Sequence, residues 1–358
     1  MAVGGEVRVV LVGIGVRGRV WATICAEAPE VALVGVVDQD RSAAESVSEE
    51  GFFYEDFALA LAECRPDAVI IATPPETHYA ICKAALSAGK HVLCEKPLSE
   101  DMDEVVDLVT TAEAHGVQLL VGMNFRYLPT SQRIRQYVES GELGALSHAQ
   151  FSYVRYRDGR RSDLNNYPLT MSYPMLFEQS IHHFDLLRYC YGLEVESLVA
   201  DSFRPAWSSY ENDCCVSVLF RFESGIRVNY QGTWTAAWNK MSFDWRSEFA
   251  SGVLVQRSQF DDLVRVDFAP GLGLSGRRFK SAEESEKPKV EELPPCIPFV
   301  DDTRLLLQEF VGAIRGELEP TTTGRDHLKS LSLVHAAIES IESGRWVTPG
   351  ASQRLERR

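Results

Sequence analysis

Short runs of consecutive apolar residues alternate with helical stretches from residue 6 to about residue 123. Strands that are apolar at consecutive positions are typical of a parallel sheet covered on both faces. The predicted strands are Val7–Val12, Val31–Val37, Ala68–Ala72, His91–Cys94 and Gln118–Val121. The predicted crossover helices are Arg17–Glu27, Ser42–Glu49, Tyr79–Ser87 and Asp103–His115. This alternation predicts a doubly wound α/β domain with a parallel sheet over residues 1–123.

After Asn124, apolar and polar positions alternate with a period of two, as in an antiparallel sheet. The predicted strands are Ser147–Arg157, Val195–Phe203, Cys214–Phe222, Ile226–Thr233, Phe243–Phe249, Gly252–Gln256 and Val264–Phe268. The predicted helices are Thr130–Ser140, Glu178–Tyr191, Thr303–Arg315 and Arg325–Ser343. Glu223–Gly225 is predicted to close a hairpin, and the charged, Pro-rich Ser275–Pro295 to form an exposed loop. The pattern therefore predicts an α+β domain over residues 124–358, an open, mostly antiparallel sheet covered by helices on one face.

Aromatic residues on the strands of this second sheet bear on assembly. Phe220, Phe222, Tyr230 and Trp234 share one parity within their strands, although the count does not fix which face they occupy. Helices cover one face only, and an apolar second face would be an exposed patch unless another subunit covered it. We therefore predict a homodimer or homotetramer assembled through this sheet.

Composition narrows the class of protein. The chain has 358 residues, 45% of them hydrophobic and 24% charged, which is close to the average for globular proteins. Its net charge of −15 argues against nucleic acid or an anionic membrane as the main partner. No apolar run reaches the length of a membrane span, and residues 1–6 do not resemble a signal peptide. The eight cysteines form no CxxC pair, so we expect buried, reduced thiols in the cytoplasm.

A glycine-rich segment, Gly13–Gly18, follows the first predicted strand and opens the first predicted helix. Gly13 permits the tight turn, Gly15 lets the backbone approach a pyrophosphate, and Gly18 lets the helix pack closely on the strand. The free N–H groups at the helix N-terminus are suited to bind phosphate. Asp38 ends the next strand, 20 residues after Gly18. This context predicts a Rossmann dinucleotide site, with Ile14 of the turn among its residues.

Asp38 also bears on which dinucleotide binds. Its carboxylate can accept hydrogen bonds from the adenosine ribose and would repel a 2′-phosphate, which favours NAD. Arg41 lies three residues further on and could offset that repulsion, so NADP is not excluded. Arg17 is a second candidate for reaching phosphate, and solvated helix charge is the alternative for both arginines.

Two further segments follow predicted parallel strands, at the edge where open α/β sheets bind ligands. One contains Thr73, Pro74 and His78, and the other is Glu95–Pro97. Pro97 restricts Lys96 to extended backbone, so we expect Lys96 to project from the end of its strand. There Lys96 would face a nicotinamide and donate a hydrogen bond to a substrate oxygen; an exposed ion pair is the alternative. We count Thr73, Pro74, His78, Glu95 and Lys96 among the cofactor-binding candidates.

The helix predicted at Glu178–Tyr191 carries a histidine between carboxylates. Glu178 and His182 are four residues apart and Asp185 is three beyond, so the three side chains share one helix face. A histidine flanked by carboxylates can shuttle a proton near neutral pH. A surface ion pair is the alternative, His183 is expected to pack or cap, and three ligands without a compact His/Cys set do not indicate a metal site.

In these motifs the chain resembles the glucose–fructose oxidoreductase / inositol dehydrogenase / rhizopine-catabolism (Gfo/Idh/MocA) family along nearly its whole length. The matching segments are Gly13–Gly18 with Asp38, Ala72–His78, Glu95–Pro97, Asn124–Pro129, the His182 helix, and Thr322–Gly344. The resemblance implies a pyridine-nucleotide-dependent oxidoreductase acting on a secondary alcohol of a sugar, cyclitol or related polyol. It also implies that Lys96 contacts the reacting oxygen and that His182 is the acid/base.

The chain departs from the family in one catalytic position. Many members have Asp four residues before the histidine, whereas this chain has Glu178, which keeps a carboxylate on the same helix face. We therefore assign catalysis to Lys96, His182 and Glu178. The substrate-binding candidates are Lys96, Glu178 and His182, joined by Arg126 and Tyr156. Other polar or aromatic candidates for the pocket, with sheet packing as their alternative, are Tyr153, Arg155, Arg157, Trp234 and Trp238.

Two other functions stay open at this point. The same fold supports glycoside hydrolysis in which NAD oxidises a ring carbon transiently, and such an enzyme would show no net reduction of NAD. A non-enzymatic regulator that senses the dinucleotide is a further alternative, but it would not need both Lys96 and His182.

Overall fold

The protein is described here as a computed structural model that covers residues 5–44, 52–159, 166–267 and 288–350. It divides into two compact units, and each is discontinuous in sequence. The first consists of Met1–Tyr127 with Ile297–Leu331, and the second of Leu128–Cys296 with Ser332–Gly350, in their described parts. The sequence predicts one boundary, between residues 123 and 124. The first unit instead also takes in Asn124–Tyr127 and Ile297–Leu331, which lie beyond that boundary.

The first unit contains a six-stranded parallel sheet with the strand order β3-β2-β1-β4-β5-β6, the order of a Rossmann fold. Its strands are β1 (Val7–Val12), β2 (Val31–Val37), β3 (Phe53–Tyr54), β4 (Ala68–Ile71), β5 (His91–Cys94) and β6 (Leu119–Val121). Its helices are α1 (Val16–Glu27), α2 (Arg41–Ala44), α3 (Phe57–Cys64), α4 (Pro75–Ser87), α5 (Met102–His115) and α8 (Asp301–Arg315). Asn124–Tyr127 forms a 3₁₀ turn after β6. The doubly wound parallel sheet predicted from the sequence is confirmed.

The apolar strands are buried because helices cover them. Val9 and Leu11 of β1 pack in one core with Trp21 of α1 and Phe310 of α8, and all four side chains are buried. Local signals fix several helix ends: the Asp56 Oδ1 accepts a hydrogen bond from the Leu59 N–H, 2.9 Å away, at the start of α3.

The sequence prediction differs from the first unit at two places. It does not contain β3 or α3, which lie between β2 and β4. Of the helix predicted at Ser42–Glu49, the structure describes α2, which ends at Ala44, and the rest lies outside the described residues.

The second unit contains an eight-stranded sheet with the order β14-β13-β12-β11-β7-β10-β9-β8. Its strands are β7 (Leu146–Val154), β8 (Val195–Phe203), β9 (Cys215–Phe222), β10 (Arg227–Thr233), β11 (Ser242–Phe249), β12 (Gly252–Gln256), β13 (Val264–Asp267) and β14 (Lys289–Val290). Its helices are α6 (Pro129–Ser140) and α7 (Ile181–Tyr191), with the C-terminal half of α9 (Gly324–Ser343). All neighbouring strands pair antiparallel except β7 and β10, which are parallel. The mostly antiparallel sheet is confirmed, although β14 lies within the segment predicted as a loop.

The predicted aromatic residues of this sheet lie on its covered face. Phe220, Phe222 and Tyr230 are buried, and Phe184 of α7 contacts the rings of Phe220 and Tyr230. Alternate positions of the central strands are exposed and polar: Gln150, Ser217, Arg221, Arg227, Asn229, Gln231 and Arg246. The open face is therefore polar at these positions, whereas Val255 and Val253 of β12 pair with Arg246 and Glu248 and add apolar positions to it. Self-association through this sheet stays a prediction.

All eight cysteines are unbridged, and seven of them are buried, as the sequence predicts. Among the described residues, the helices include none that combines the length and apolar character needed to cross a bilayer.

Candidate active site

The predicted cofactor residues of the first unit gather at the carboxyl edge of its parallel sheet. The glycine turn follows β1, Asp38 follows β2, Thr73 and Pro74 follow β4, and Glu95 and Lys96 follow β5. This edge is where open α/β sheets bind ligands.

Gly13 and Gly18 are required by close contacts within the turn. Gly13 has φ +90°, and a Cβ there would lie 2.8 Å from the backbone of Ala72. A Cβ on Gly18 would lie 2.0 Å from the Gly13 carbonyl oxygen. The sequence predicts close packing of the helix on the strand at Gly18, and the closest contact in the structure is to the preceding turn.

Gly15 differs from these two glycines, because a Cβ added there would meet nothing within 4 Å. Gly15 is the N-cap of α1 and is exposed, so it leaves an open approach to the first N–H groups of the helix. Helix N-termini that are open in this way bind phosphate groups well. The residues present thus fit a dinucleotide pyrophosphate.

Asp38 is tied to the glycine turn. Its Oδ2 accepts a hydrogen bond of 2.6 Å from the Ile14 N–H, and its Oδ1 accepts one of 2.9 Å from the Asp40 N–H. A carboxylate has about four lone-pair sites, so both oxygens keep capacity for a ribose hydroxyl. Arg41 is exposed nearby, with its guanidinium 5.7 Å from the centre of the Phe53 ring.

His78 connects two loops of the carboxyl edge. Its Nδ1 lies 2.6 Å from the Pro97 carbonyl oxygen, and its Nε2 lies 2.8 Å from the Thr73 carbonyl oxygen. Burial lowers the pKa of the imidazole, although the two carbonyl contacts oppose that effect. Pro74 is the N-cap of α4, and the Thr77 hydroxyl donates to the Thr73 hydroxyl over 2.7 Å.

Glu95 is held by side chains of α1. The Arg17 Nε and the Trp21 Nε1 donate to the Glu95 Oε1 over 2.5 Å and 2.8 Å. Burial by itself would raise the pKa of this carboxyl, but Arg17 and Trp21 more than offset it, so the pKa lies below its usual value. Gly122 is also needed here, because a Cβ on it would lie 2.7 Å from the Glu95 Oε2. The sequence offered no signal for Trp21 or Gly122.

The Arg17 guanidinium contacts protein groups of the first unit rather than the open end of the glycine turn. Besides the contact to Glu95, its Nη1 donates to the Phe299 carbonyl over 3.0 Å, and its Nη2 donates to the Thr303 hydroxyl over 2.7 Å. All three guanidinium nitrogens are thus engaged. The phosphate contact predicted for Arg17 has no support in this geometry.

Arg126 lies in a buried ion pair. Its Nη2 bonds to Asp326 and its Nη1 donates to the Thr321 carbonyl over 2.6 Å, and the side chain is 4% exposed. Asn124 of the same 3₁₀ turn bonds to the buried Asp302. The sequence predicts that Arg126 contacts the substrate. These contacts instead indicate a structural role, so we do not propose Arg126 as a substrate-binding residue.

In the second unit, Glu178 and His182 lie on one continuous helical segment. Leu176–Ser180 forms a π-helical turn that leads directly into α7. Residues four apart are neighbours on one face of a helix, which is the arrangement expected for this pair. Turns of the π type are frequent at functional sites. The sequence predicted the helix here but not its irregular first turn.

His183 and Tyr230 anchor this turn in the core. The Nδ1 of His183 lies 2.9 Å from the Tyr230 hydroxyl, and its Nε2 lies 3.0 Å from the Gln179 Nε2. The Tyr230 hydroxyl is 2.8 Å from the Ser180 hydroxyl. His183 is fully buried, and burial lowers its pKa to about 3. Its predicted packing role fits this position, whereas Tyr230 was predicted only as a sheet residue.

Because the pKa of His183 is lowered in the folded state, the free energy of unfolding is expected to fall as the pH is lowered. The folded state holds His183 neutral, whereas the unfolded state binds a proton below about pH 6.5, so stability falls as the pH is lowered from there. The expected slope is at most about 1.4 kcal/mol per pH unit from this residue. Urea unfolding of wild type and His183→Gln between pH 7.5 and pH 4 measures it. An equal slope in both proteins would contradict the assignment.

Asp185, three residues beyond His182, belongs to a buried charged group of α7. The Arg188 Nη1 lies 3.8 Å from Asp185, and the Arg188 Nε donates over 2.7 Å to Glu194. Asp185 and Arg188 are both buried, so this group stabilises the end of α7.

Aromatic candidates for the pocket divide into buried and exposed residues. Trp234 is buried with the Arg157 guanidinium 4.3 Å from its ring centre. Tyr156 is 41% exposed and Trp238 is 66% exposed. Tyr156 forms an isolated antiparallel bridge with Thr235, next to Trp234 and beyond the ends of β7 and β10. Among the described residues, no three His, Cys, Asp or Glu side chains are grouped to hold a metal ion.

Two family models match the chain. One, described as the oxidoreductase family with an NAD-binding Rossmann fold, matches residues 7–123. The other, the GFO/IDH/MocA C-terminal domain, matches residues 131–250. Inositol 2-dehydrogenase of Rhizobium meliloti is 24% identical over 346 residues, which cover 96% of this chain and 99% of that protein.

Solved structures show the same fold. An oxidoreductase from Agrobacterium radiobacter in complex with NAD⁺, L-tartaric acid and magnesium has a TM-score of 0.82 at 20% identity, covering 97% of this chain and 99% of that one. An inositol dehydrogenase homologue from Azotobacter vinelandii complexed with NADH and myo-inositol has a TM-score of 0.81 at 18% identity, covering 96% and 98%.

The Rossmann sheet, its glycine turn and these matches define an NAD-binding oxidoreductase. The chain belongs to the GFO/IDH/MocA family.

Proposed function

We propose that the protein transfers a hydride between NAD and a secondary alcohol or ketone of a sugar, cyclitol or related polyol. The observation that carries the proposal is the position of Lys96. It follows β5 at the same carboxyl edge as the glycine turn and Asp38, on a loop whose two flanking residues are both held by side chains. The relatives support the substrate class, because they include an inositol dehydrogenase and a D-apiose dehydrogenase.

In this proposal Lys96 hydrogen-bonds the reacting oxygen and polarises it. An ammonium group has three donors and a compact charge, so it stabilises the negative charge that develops on oxygen when its proton leaves. NAD supplies the hydride acceptor when it is bound. The half-buried position of Lys96 keeps its charge near the edge of the sheet rather than in bulk water.

His182 is proposed as the group that takes the hydroxyl proton. Proton removal in step with hydride loss avoids a free alkoxide, so a base within hydrogen-bond reach of the substrate is needed. Glu178 orients His182 from the same helical face, and the His183–Tyr230 anchor fixes the turn that carries Glu178. Tyr156, exposed two residues beyond the end of β7, is the remaining substrate-binding candidate.

Asp38 is proposed to select NAD over NADP, and Asp38→Ser tests this selection. Loss of the carboxylate removes a ribose acceptor and the repulsion of a 2′-phosphate, so NADH binding is expected to weaken and NADPH binding to strengthen. We expect the ratio of the two dissociation constants to shift about tenfold or more, which corresponds to one charge-assisted hydrogen bond. Nicotinamide fluorescence titration measures both constants. An unchanged ratio would remove Asp38 as the discriminating residue.

The experiment that tests the proposed function is the absorbance of reduced nicotinamide. The protein is mixed with NAD or NADP and a panel of aldoses, cyclitols, deoxy sugars and amino sugars. A rise in the near-ultraviolet absorbance of reduced nicotinamide that Lys96→Met lacks supports the proposal. Silence across the panel, with nucleotide binding intact, counts against it.

Two alternatives differ in what this assay and a glycoside assay would show. A glycoside hydrolase that uses NAD transiently would cleave a glycoside without net reduction of NAD. A dinucleotide-sensing regulator would bind NADH and turn over neither type of substrate. The joint presence of Lys96 and His182 favours the dehydrogenase over the regulator.

The proposal extends to the oligomeric state of the protein and to its location in the cell. We propose a homodimer or homotetramer assembled through the eight-stranded sheet, and sedimentation equilibrium measures its mass. The eight unbridged thiols support the cytoplasm as the location.

A further inference from the structure

We propose that Arg17 and His78 are positioning residues that hold the lysine loop, Glu95–Pro97, from its two sides. The proposal rests on the proposed function of Lys96 and concerns how that lysine is kept in place. Neither residue is then a ligand of the dinucleotide, which is the role that the sequence suggested for both.

Arg17 holds the loop through Glu95, the residue before the lysine. The Nε of Arg17 is 2.5 Å from the Glu95 Oε1, and the Trp21 indole donates to the same oxygen over 2.8 Å. On the other side, the absence of a side chain at Gly122 leaves the space that the Glu95 Oε2 occupies. A carboxylate that is half-buried and enclosed in this way has a fixed rotamer, so its backbone is fixed as well.

Arg17 is itself anchored at the start of α8. Its two remaining nitrogens donate to the Phe299 carbonyl and to the Thr303 hydroxyl. The rigid, planar guanidinium therefore connects the glycine turn, the lysine loop and α8 within the first unit. A lysine at position 17 would lack the directed donors for three such partners.

His78 holds the loop through Pro97, the residue after the lysine. Its Nδ1 is 2.6 Å from the Pro97 carbonyl oxygen, and its Nε2 is 2.8 Å from the carbonyl oxygen of Thr73, at the end of β4. The ring is 1% exposed, so it is enclosed between the two loops and has no nitrogen directed to a ligand.

Lys96 lies between two residues that are each fixed by a side chain from another element. The ammonium group stands at the end of four methylenes, so the position of its backbone limits the volume that it samples. A displacement of about 1 Å at a reacting group can lower a rate about 10²-fold. We therefore expect Arg17 and His78 to affect the reaction rate as well as the stability of the fold.

The test combines Arg17→Met and His78→Phe with a double-mutant cycle against Lys96→Met. We expect each single variant to lower kcat about 10- to 100-fold, with the NADH dissociation constant unchanged within about twofold. In the Lys96→Met background neither variant should lower kcat further, because the group that they position is gone. Arg304→Met is the matched control, since Arg304 also joins α8 to α1, through Glu27 at 2.6 Å.

Hydrogen exchange of the peptide that spans residues 94–101 gives a second readout, which does not require turnover. We expect faster exchange there in Arg17→Met and His78→Phe than in wild type or Arg304→Met. If Arg17→Met destabilises the fold by leaving Glu95 unpaired, Arg17→Met/Glu95→Gln removes both charges and replaces it in the test.

Three results would overturn the proposal. They are a tenfold or larger rise in the NADH dissociation constant with kcat retained, further loss of kcat in the Lys96→Met background, and unchanged exchange in the 94–101 peptide. A wild-type protein that oxidises no compound of the panel would count against the proposed function, and the exchange and binding results would still decide the role of the anchors.

Discussion

Lys96→Met is expected to lower kcat by about 10²–10³-fold while the dissociation constant for NADH stays within about twofold of wild type. Methionine keeps the length and the apolar stem of lysine but removes the charge and all three donors. If the ammonium group stabilises the oxygen from which the proton leaves, its loss raises the barrier and leaves nucleotide affinity unchanged. Stopped-flow absorbance of reduced nicotinamide gives kcat, and fluorescence titration gives the affinity.

Lys90→Met is the matched control for this variant. Lys90 precedes β5 at the opposite, amino end of the strand whose carboxyl end leads to Lys96. The control changes the same residue type next to the same strand, away from the edge that carries the glycine turn. Full activity of Lys96→Met, or an equal loss in Lys90→Met, would contradict the role that we assign to Lys96.

His182→Ala is expected to lower kcat by about 10²–10⁴-fold, the range contributed by a positioned general base. We propose that the imidazole takes the hydroxyl proton. Water is a poor replacement, because a water molecule is not held in position and its basicity does not match that of imidazole. The pH profile separates this role from simple loss of packing. The variant should lose the low-pH limb of kcat/KM, and its rate should rise toward alkaline pH as hydroxide replaces the base.

His148→Ala is the control for His182→Ala, since His148 lies at an exposed position of β7 in the same unit. Glu178→Gln extends the test, because it keeps the shape of the side chain and removes the carboxylate that we propose to orient His182. An intermediate kcat with the wild-type pH limb displaced supports that role. A pH profile of His182→Ala identical in shape to that of wild type would contradict the assignment of the base.

The sequence predicted the parallel sheet well because its signals are local. The bounds of β1, β2 and β5 agree with those observed, since each strand is a mostly apolar run whose residues are mostly buried or partly buried. β3 has only two residues and gives no periodicity to detect. The missed helix α3 did carry a signal, because Asp56 caps it from one residue before its start.

The chemistry of the glycine turn was also readable from the sequence. The positive φ at Gly13, and the lack of space for a Cβ at Gly18, depend on backbone a few residues away or on the adjacent strand. The pairing partners of the site residues were not readable. Arg17 and Glu95 are 78 positions apart, and Arg126 and Asp326 are 200 apart. A lone arginine in a sequence therefore indicates a phosphate contact as readily as an ion pair.

The sequence by itself determined the class of the two sheets, the glycine turn, the position of Lys96 after a strand and the helical spacing of Glu178 and His182. These follow from steric limits and from periodicities that act over a few residues. Only the tertiary structure decided that Arg17, His78 and Arg126 face protein groups, that β7 pairs parallel with β10, and that the aromatic side chains lie on the covered face. Those outcomes depend on which distant segments meet, because a buried donor or charge is satisfied by whatever group packing brings within reach.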